Sequence, residues 1–296
     1  MALARVDPRT PPAAHALLLR QLGRLFDETP MRARPVFERA AALYRRIGDR
    51  LGLGHTLVLL GRTLAKLGKF DESRSALHEA GSLLEDTELP WLRGLYFFNQ
   101  GFLKSISGDF AGARIDYERS RALFLEAGDD CTASAAQGNL ANITWALGDL
   151  DATESSFRGV VAFSRTSPMT TKRMLGWSLA SLAAVLTEQG RIDEALVPGR
   201  EGLQLLLEDG NAWVFVTHFA LRAALAGRLA DAARLAGYSD YAWSKQETMH
   251  HPVDARTQER LDSILRQQLP ASDLERLRAE GAGLSETEAC RLALES

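Results

Sequence analysis

The sequence predicts an all-α fold, a superhelical solenoid of stacked helical hairpins that ends in a carboxy-terminal helical cap. Two observations predict it: short polar turns recur about forty residues apart, and each of them contains a glycine. A glycine in such a turn can adopt the left-handed conformation that ends a helix. The turn glycines are Gly68, Gly108, Gly148, Gly190 and Gly227. Because one hairpin cannot bury its own apolar face, we expect the hairpins to stack.

Small side chains flank each turn at fixed distances and predict how the two helices of a hairpin pack. The residues seven positions before the turn glycines are Gly61, Gly101, Ala141, Ala183 and Ala220. The residues five positions after them are Ser73, Ala113, Thr153, Ala195 and Ala232. Small residues at these places let two helix backbones approach closely. A bulky residue follows nine positions after the first three glycines, whereas the last two units carry Gly199 and Ala236 there.

The hairpins can be placed along the chain from these turns. Residues 1–11 read as a disordered lead, and residues 12–50 as a degenerate first hairpin without a glycine turn. The clear hairpins cover residues 51–90, 91–130, 131–170, 171–210 and 211–245. Pro198 falls inside the second helix of its hairpin, where a proline removes a backbone donor. We therefore expect a kink or a break at that position.

The remaining residues, 246–296, read as a helical cap rather than another hairpin. Helices are expected over residues 255–269, 270–280 and 285–295, and Ser285 with Glu288 forms the pattern of a capping box. A solenoid needs a cap over the apolar edge of its last repeat. The apolar residues expected to face that edge are Leu261, Ile264, Leu265, Leu274, Leu277 and Leu292.

The repeated positions resemble the tetratricopeptide repeat (TPR) family. Gly101, Ala113 and Tyr117 match the small, small and large residues that mark this repeat, and the match covers residues 12–245. The resemblance implies that the first helix of each hairpin lines a concave groove. The residues that it places in or beside this groove are His55, Arg62, Lys66, Phe98, Asn99, Phe102, Asn139, Asn142, Trp145 and Glu188.

Aromatic rings beside amides and a few charges suit a protein or peptide partner, a carbohydrate or a small effector. Some of these aromatic residues can equally belong to the core between helices. We expect Phe98, Asn99, Phe102, Asn139, Asn142 and Trp145 to form one continuous wall, with charge from Arg62 and Lys66 at one end and Glu188 at the other.

The tail TQERLDSILRQQLPASDLERLRAE and the linkers RRIGDRLGLGHTL and LEAGDDCTASAAQGNLANI resemble large bacterial STAND-type ATPase and LuxR-like transcriptional regulators. The resemblance implies a sensor arm that contacts other domains of a longer regulator, and the chain is then a fragment. The alternative is a free-standing TPR scaffold or adaptor that recognises a partner peptide.

Composition and motifs exclude several other functions. A formal net charge of −3 disfavours general attraction to nucleic acid or membranes, and two cysteines do not make a disulfide framework. No phosphate-binding loop, nucleophile elbow or zinc-protease motif occurs, so we expect neither an enzyme nor a cofactor. The pair His250–His251 lacks further ligands at metal spacing. Without an apolar signal segment, a cytoplasmic protein is expected.

Overall fold

The structure, a computed structural model, describes residues 10–27, 29–246 and 252–295. These residues form fifteen α-helices and one short 3-10 helix, with no strand in the described ranges. The predicted all-α solenoid of TPR-like hairpins is confirmed.

The first ten helices form five successive pairs, and a sixth pair follows the 3-10 helix Ala212–Phe215. The bounds of these helices are α1 Pro12–Leu25, α2 Pro30–Ile47, α3 Arg50–Lys66, α4 Phe70–Leu84, α5 Pro90–Ile106, α6 Phe110–Glu126, α7 Asp130–Ala146, α8 Leu150–Thr166, α9 Lys172–Glu188, α10 Ile192–Glu208, α11 Val216–Leu225 and α12 Leu229–Ser244. Three helices follow in the tail, α13 Pro252–Gln268, α14 Ala271–Ala282 and α15 Glu286–Glu295.

The turn glycines take the conformation that the sequence predicts. All five have positive φ, from 70° at Gly68 to 90° at Gly148, so each ends a first helix in the left-handed region. The small residues lie where the helices of a hairpin cross. A Cβ added to Gly101 would lie 3.0 Å from the Tyr117 ring, and one added to Gly61 would lie 2.6 Å from Leu77. The predicted packing of small residue against bulky residue is therefore confirmed for these two hairpins.

The fifth hairpin shows no break at Pro198, and the alternative expectation of a kink stays a prediction. Helix α10 runs through this proline without interruption. The neighbouring Gly199 packs against the next hairpin, because a Cβ there would lie 2.7 Å from the Phe219 ring. Phe219 thus fills the space that a bulky residue fills in earlier hairpins, which explains why position 199 carries no side chain.

Contacts between residues divide the chain into two compact units, and the division falls within α7. The first unit ends at Ala136, and the second contains Gln137–Gln246 together with the described tail. In the second unit the tail packs on the last hairpin: α14 lies against α12, and α13 lies against α11. Leu261, Leu265 and Leu277 are buried, as the sequence predicts for a cap.

The α12–α14 contact is the tightest helix crossing of the tail. A Cβ on Gly237 would lie 2.1 Å from the Arg278 carbonyl oxygen, and one on Gly281 would lie 1.9 Å from that of Arg234. Only glycine permits this approach of two backbones. At the start of α15, the Ser285 backbone N–H donates to Glu288 Oε2 at 2.8 Å and the Glu288 N–H donates to Ser285 Oγ at 3.3 Å. The predicted capping box is confirmed.

Candidate functional site

The first helix of each hairpin can be compared at four equivalent positions, which lie thirteen, nine, six and two residues before the turn glycine. We call these positions the inner stripe, because residues spaced by three and four share one helix face. In α3 the stripe is His55, Leu59, Arg62 and Lys66, and all four are half-buried between fully buried neighbours. This helix therefore exposes one narrow face. Three of its four stripe residues are among the predicted groove residues.

Arg62 is the centre of the candidate site in the first unit. Its guanidinium carbon lies 5.4 Å from the centre of the Phe102 ring and 6.0 Å from that of Phe98, both on α5. These are cation–π distances. Its nearest carboxylate is Asp27 Oδ2, 3.8 Å from Nη2, and its Nε is buried without a hydrogen-bond partner among the described residues. The side chain retains 31% exposure. We call Arg62, Lys66, Phe98 and Phe102 the cation–aromatic face.

Lys66 is held more firmly than Arg62. Its Nζ donates to the backbone oxygen of Asp27 at 2.8 Å and to Asp27 Oδ2 at 3.0 Å, and only 12% of the side chain is exposed. Asp27 follows α1, so one loop carboxylate lies beside both Arg62 and Lys66. A charge-assisted pair of this kind fixes the direction of the lysine.

The aromatic half of the face is built on the core of the α5–α6 hairpin. Phe98 meets Tyr117 edge-on at 5.6 Å and Phe124 at 6.4 Å, and both of these rings are buried. Phe102 packs against the apolar cluster that contains Leu77 and Leu103. Phe98 and Phe102 are both half-buried. They therefore present apolar area on a rigid base, as aromatic residues at binding surfaces do.

His55 extends the same stripe at the other end of α3. Its ring meets Trp91 edge-on at 5.5 Å, and the Trp91 indole N–H donates to Asp129 Oδ2 at 3.0 Å. Burial, together with the charges of Arg20 and Arg24, lowers the pKa of His55 to about 3. The ring is therefore neutral at physiological pH, and positive charge at this end comes from α1.

Asn99 does not line the groove as expected. The side chain is fully buried, and its Nδ2 donates to the carbonyl oxygen of Leu95 at 2.7 Å within the same helix. The amide bonds backward to its own helix because this position of α5 faces the interior. A ligand at the surface therefore cannot reach it without a rearrangement of α5.

Trp145 requires the same correction in the second unit. The side chain is only 2% exposed and belongs to the main core, where its ring lies 5.4 Å from that of the buried His218. Asn139 and Asn142 are half-buried on the same helix. Phe98 and Phe102 belong to the first unit and these asparagines to the second, so the continuous wall stays a prediction.

Glu188 is already engaged within the second unit. Its Oε2 lies 3.4 Å from Arg256 Nη2, and its Oε1 accepts from Thr257 Oγ1 at 3.3 Å. Both partners lie on α13. The expectation of a charge available at the end of a groove is therefore wrong in this structure, because the tail helix occupies the carboxylate.

Several contributing residues escaped the sequence analysis. Asp27 and Arg20 lie in the degenerate first hairpin, where no turn glycine fixes the register, and Trp91 opens α5 ahead of the repeated positions. Arg256 lies in the tail, and no repeat pattern relates it to α7 or α9. A surplus of arginine in residues 20–50 was the available signal, and it pointed to a charged face without saying which one.

The described residues contain no group of three or more histidine, cysteine, aspartate or glutamate side chains arranged to hold a metal ion. The pair His250–His251 lies outside the described residues. Burial raises the pKa of the Cys290 thiol to about 12, which removes its nucleophilic form at neutral pH. Among the helices described, none combines the length and apolar character that a membrane span requires.

Comparison with solved structures identifies similar folds. A Rap protein complexed with competence and sporulation factor has a TM-score of 0.66 at 14% identity, over 93% of this chain and 78% of that chain. The nearly identical TPR-like repeats of a Podosopora anserina kinesin light chain give 0.51 at 15% identity, over 67% and 97%. BtubC from P. vanneervenii gives 0.50 at 16% identity, over 96% and 94%. No protein-family model and no curated protein matches the sequence. At these identities the likeness shows the fold, an array of TPR-like helical repeats.

Proposed function

We propose that the chain is a non-catalytic protein-interaction domain whose cation–aromatic face binds a carboxylate-bearing segment of a partner protein. The observation that carries the proposal is the environment of Arg62. Its Nε is buried without a hydrogen-bond partner among the described residues, and its nearest carboxylate oxygen lies 3.8 Å away, beyond hydrogen-bond length. A guanidinium in this state has unused donors. A carboxylate that accepted two of them would form the bidentate pair that arginine favours.

The two phenylalanines determine what accompanies the carboxylate. Phe98 and Phe102 lie beneath the guanidinium at cation–π distances and are themselves partly exposed. A ligand that covers them gains apolar burial in addition to the charge pair. The face therefore suits an acidic residue that has an apolar neighbour.

Positive charge at both ends of the α3 stripe favours an extended ligand. From His55 to Lys66 the helix rises about 16 Å, which an extended segment of about five residues would span. Arg20 and Arg24 act electrostatically on His55 at one end, and Lys66 stands at the other. Among the described residues, Asp27 is the carboxylate paired with Arg62 and Lys66, and Asp49 is engaged in capping the start of α3. An acidic segment would complement this excess of positive charge and associate faster for it.

Asp27 already neutralises part of the positive charge that the ligand would meet. Its carboxylate contacts both Lys66 and Arg62, but only the lysine contact is short. A partner carboxylate would join Arg62 and leave the Lys66–Asp27 pair in place. The fold of a Rap protein, solved in complex with competence and sporulation factor, supports the view that such an array accommodates a bound factor.

The regulatory context is a further part of the proposal. The resemblance of the tail and the linkers to STAND-type regulators supports a sensor arm that contacts other domains of a longer protein. This reading predicts an ATPase domain in the same polypeptide, which the sequence of the full reading frame would reveal. A free-standing adaptor, the alternative, would bind the same class of segment without one.

Selection from a phage-displayed library of random peptides tests the binding function on the full chain. We expect enrichment of sequences that combine aspartate or glutamate with an apolar residue. The affinity of the best peptide is then measured by calorimetry for the native chain, for Arg62→Glu and for the matched control Arg74→Glu. Arg74 is an exposed arginine of α4 whose described ion pair is with Asp71.

Arg62→Glu should weaken binding at least about thirtyfold, because it removes a charge partner and adds a like charge. Arg74→Glu should bind as the native chain does. The proposal is abandoned if no sequence is enriched, or if both variants bind the selected peptide equally well.

A further inference from the structure

The carboxy-terminal end of α7 holds an arginine side chain in the second unit. Arg256 of α13 directs its guanidinium there: Nη2 donates to the Trp145 carbonyl oxygen at 3.1 Å, and Nη1 lies 3.5 Å from that of Ala146. The Glu188 carboxylate, on α9, lies 3.4 Å from Nη2. Two carbonyl oxygens of α7 and one carboxylate of α9 thus contact one guanidinium.

The chemistry of this place favours a guanidinium over other groups. The last carbonyl groups of a helix lack partners within it and carry the negative end of its dipole. Glu188 adds a full negative charge and is only 9% exposed, so its desolvation calls for a cation. A planar fork of donors can satisfy two carbonyl oxygens and a carboxylate together, which the compact ammonium of lysine does less well.

The two halves of helix α13 are held by different kinds of contact. Val253, Thr257, Leu261 and Leu265 form a buried stripe with a spacing of four residues. In the carboxy-terminal half the buried residues are leucines that belong to the main apolar core. In the amino-terminal half Val253 belongs to the same core, and the other anchoring contacts are polar: Asp254 Oδ1 lies 3.0 Å from His218 Nε2, and Thr257 donates to Glu188.

A half-helix held by polar contacts can be exchanged more easily than one held by a leucine core. The net contribution of such hydrogen bonds to stability is small when another polar segment replaces them with equivalent bonds. Arg256 also keeps 42% of its side chain exposed, so a competitor can approach the same carbonyl groups.

We propose that the end of α7 and Glu188 form an arginine-binding site, filled internally by Arg256, and that an arginine-bearing segment of a partner protein displaces the first turns of α13 from it. The leucine half of α13 stays in place during the exchange. The site differs from the cation–aromatic face in charge and in ligand: the first unit takes a carboxylate, and the second takes a guanidinium.

A fluorescein-labelled peptide with the sequence of residues 252–260 tests the site by anisotropy on three full-length chains. These are the native chain, Arg256→Ala and the matched control Arg260→Ala, which removes an exposed arginine of the same helix. A tethered occupant acts at an effective concentration on the order of millimolar, so its arginine should suppress binding to the native chain. Arg256→Ala should therefore bind the peptide at least about tenfold more tightly than the other two chains.

Two additional measurements assign the effect to the site. A peptide that carries alanine at the position of Arg256 and keeps the second arginine, that of Arg260, should bind none of the chains. Glu188→Gln combined with Arg256→Ala should lose the gain. If Arg256→Ala does not fold, as judged by its circular dichroism, Arg256→Lys provides the same comparison. Equal binding by Arg256→Ala and Arg260→Ala overturns the proposal, and so does equal binding of the two peptides.

Discussion

The inner stripe of α3, in the first unit, differs from those of α9 and α11, in the second, in what covers it. In α3 the stripe residues His55, Leu59, Arg62 and Lys66 are all half-buried. In α9, by contrast, every residue from Ser178 to Thr187 is buried, although the helix occupies the same place in its hairpin. In α11 the burial is continuous from Val216 to Ala224. One repeat pattern thus gives an accessible face on α3 and a filled one along the middle of α9 and α11.

The difference follows from side-chain size and from the tail. The middle stripe positions of α9 are Ser181 and Ala184, which occupy little space, and the rings of Trp145 and His218 come within 5.4 Å of each other. Helix α13 then packs on α11. Its Arg256 contacts the Trp145 carbonyl oxygen at the end of α7, and its Asp254 contacts His218. In α3 the corresponding side chains are Leu59 and Arg62, which project from the helix instead. Stripe position alone therefore does not identify a binding residue.

The largest expected effect is on stability, and it compares a side chain in the filled core of the second unit with one on the cation–aromatic face. Trp145→Ala should cost about 3–5 kcal/mol in the free energy of unfolding, because it leaves a large cavity in the core. Phe102→Ala should cost clearly less, since its ring is only half-buried. Chemical denaturation followed by circular dichroism measures both. Equal losses would mean that the Trp145 side chain is not buried in solution.

A smaller effect tests whether the tail belongs to the second unit. Gly281→Ala places a Cβ where the Arg234 carbonyl oxygen now lies, so α14 must shift from α12 at a cost of about 1–3 kcal/mol. Gly159→Ala is the control, since a Cβ there meets nothing within 4 Å. It should stabilise α8 by about 0.5–1 kcal/mol.

Hydrogen exchange locates the effect of Gly281→Ala within the chain. Amides of α11 and α12 should lose protection, and amides of α3 and α4 should not. Loss of protection in all four helices would show that the two units unfold as one, which the division of contacts does not predict.

Above about pH 5, where carboxylates stay ionised, the acid response should belong to the first unit. His55 has a folded-state pKa of about 3, below its ordinary value of 6.5, so the unfolded chain binds its proton first as pH falls. This histidine therefore favours the folded state above pH 6.5, and its contribution is lost as pH falls from 6.5 towards 3. The slope is at most about 1.4 kcal/mol per pH unit. His55→Gln should flatten this part of the stability profile, and an unchanged profile would contradict a buried neutral ring.

The sequence was sufficient for the hairpins because their determinants are local. Gly108 ends a helix through its own φ, and Gly101 meets Tyr117 within one hairpin. The candidate site depended on longer-range contacts. The pattern placed Asn99 and Trp145 near a groove, but it could not show that Asn99 bonds to its own helix or that Trp145 meets His218.

The repeat pattern could not predict the contacts of the tail, because these are also long-range. Arg256 reaches carbonyl groups 110 and 111 positions earlier in the chain, and no repeat relates the two segments. The prediction of a cap rested on its apolar residues: Leu261, Leu265 and Leu277 are buried as expected, whereas Ile264, Leu274 and Leu292 are half-buried against the same core. The polar half of α13, which occupies Glu188, carries no comparable periodic signal.

Thiol labelling at equivalent stripe positions tests the central claim most directly. Leu59→Cys and Ser181→Cys place one new thiol each, nine residues before a turn glycine, in a chain with Cys131→Ser and Cys290→Ala. Both variants keep Arg62. The rate of modification by an aromatic disulfide is measured under native conditions, with and without the selected acidic peptide. The thiol at position 59 should react readily and be protected by the peptide, whereas the thiol at position 181 should react only on unfolding. Equal rates at the two positions, or no protection at position 59, would contradict an accessible binding face on α3 and a filled stripe on α9.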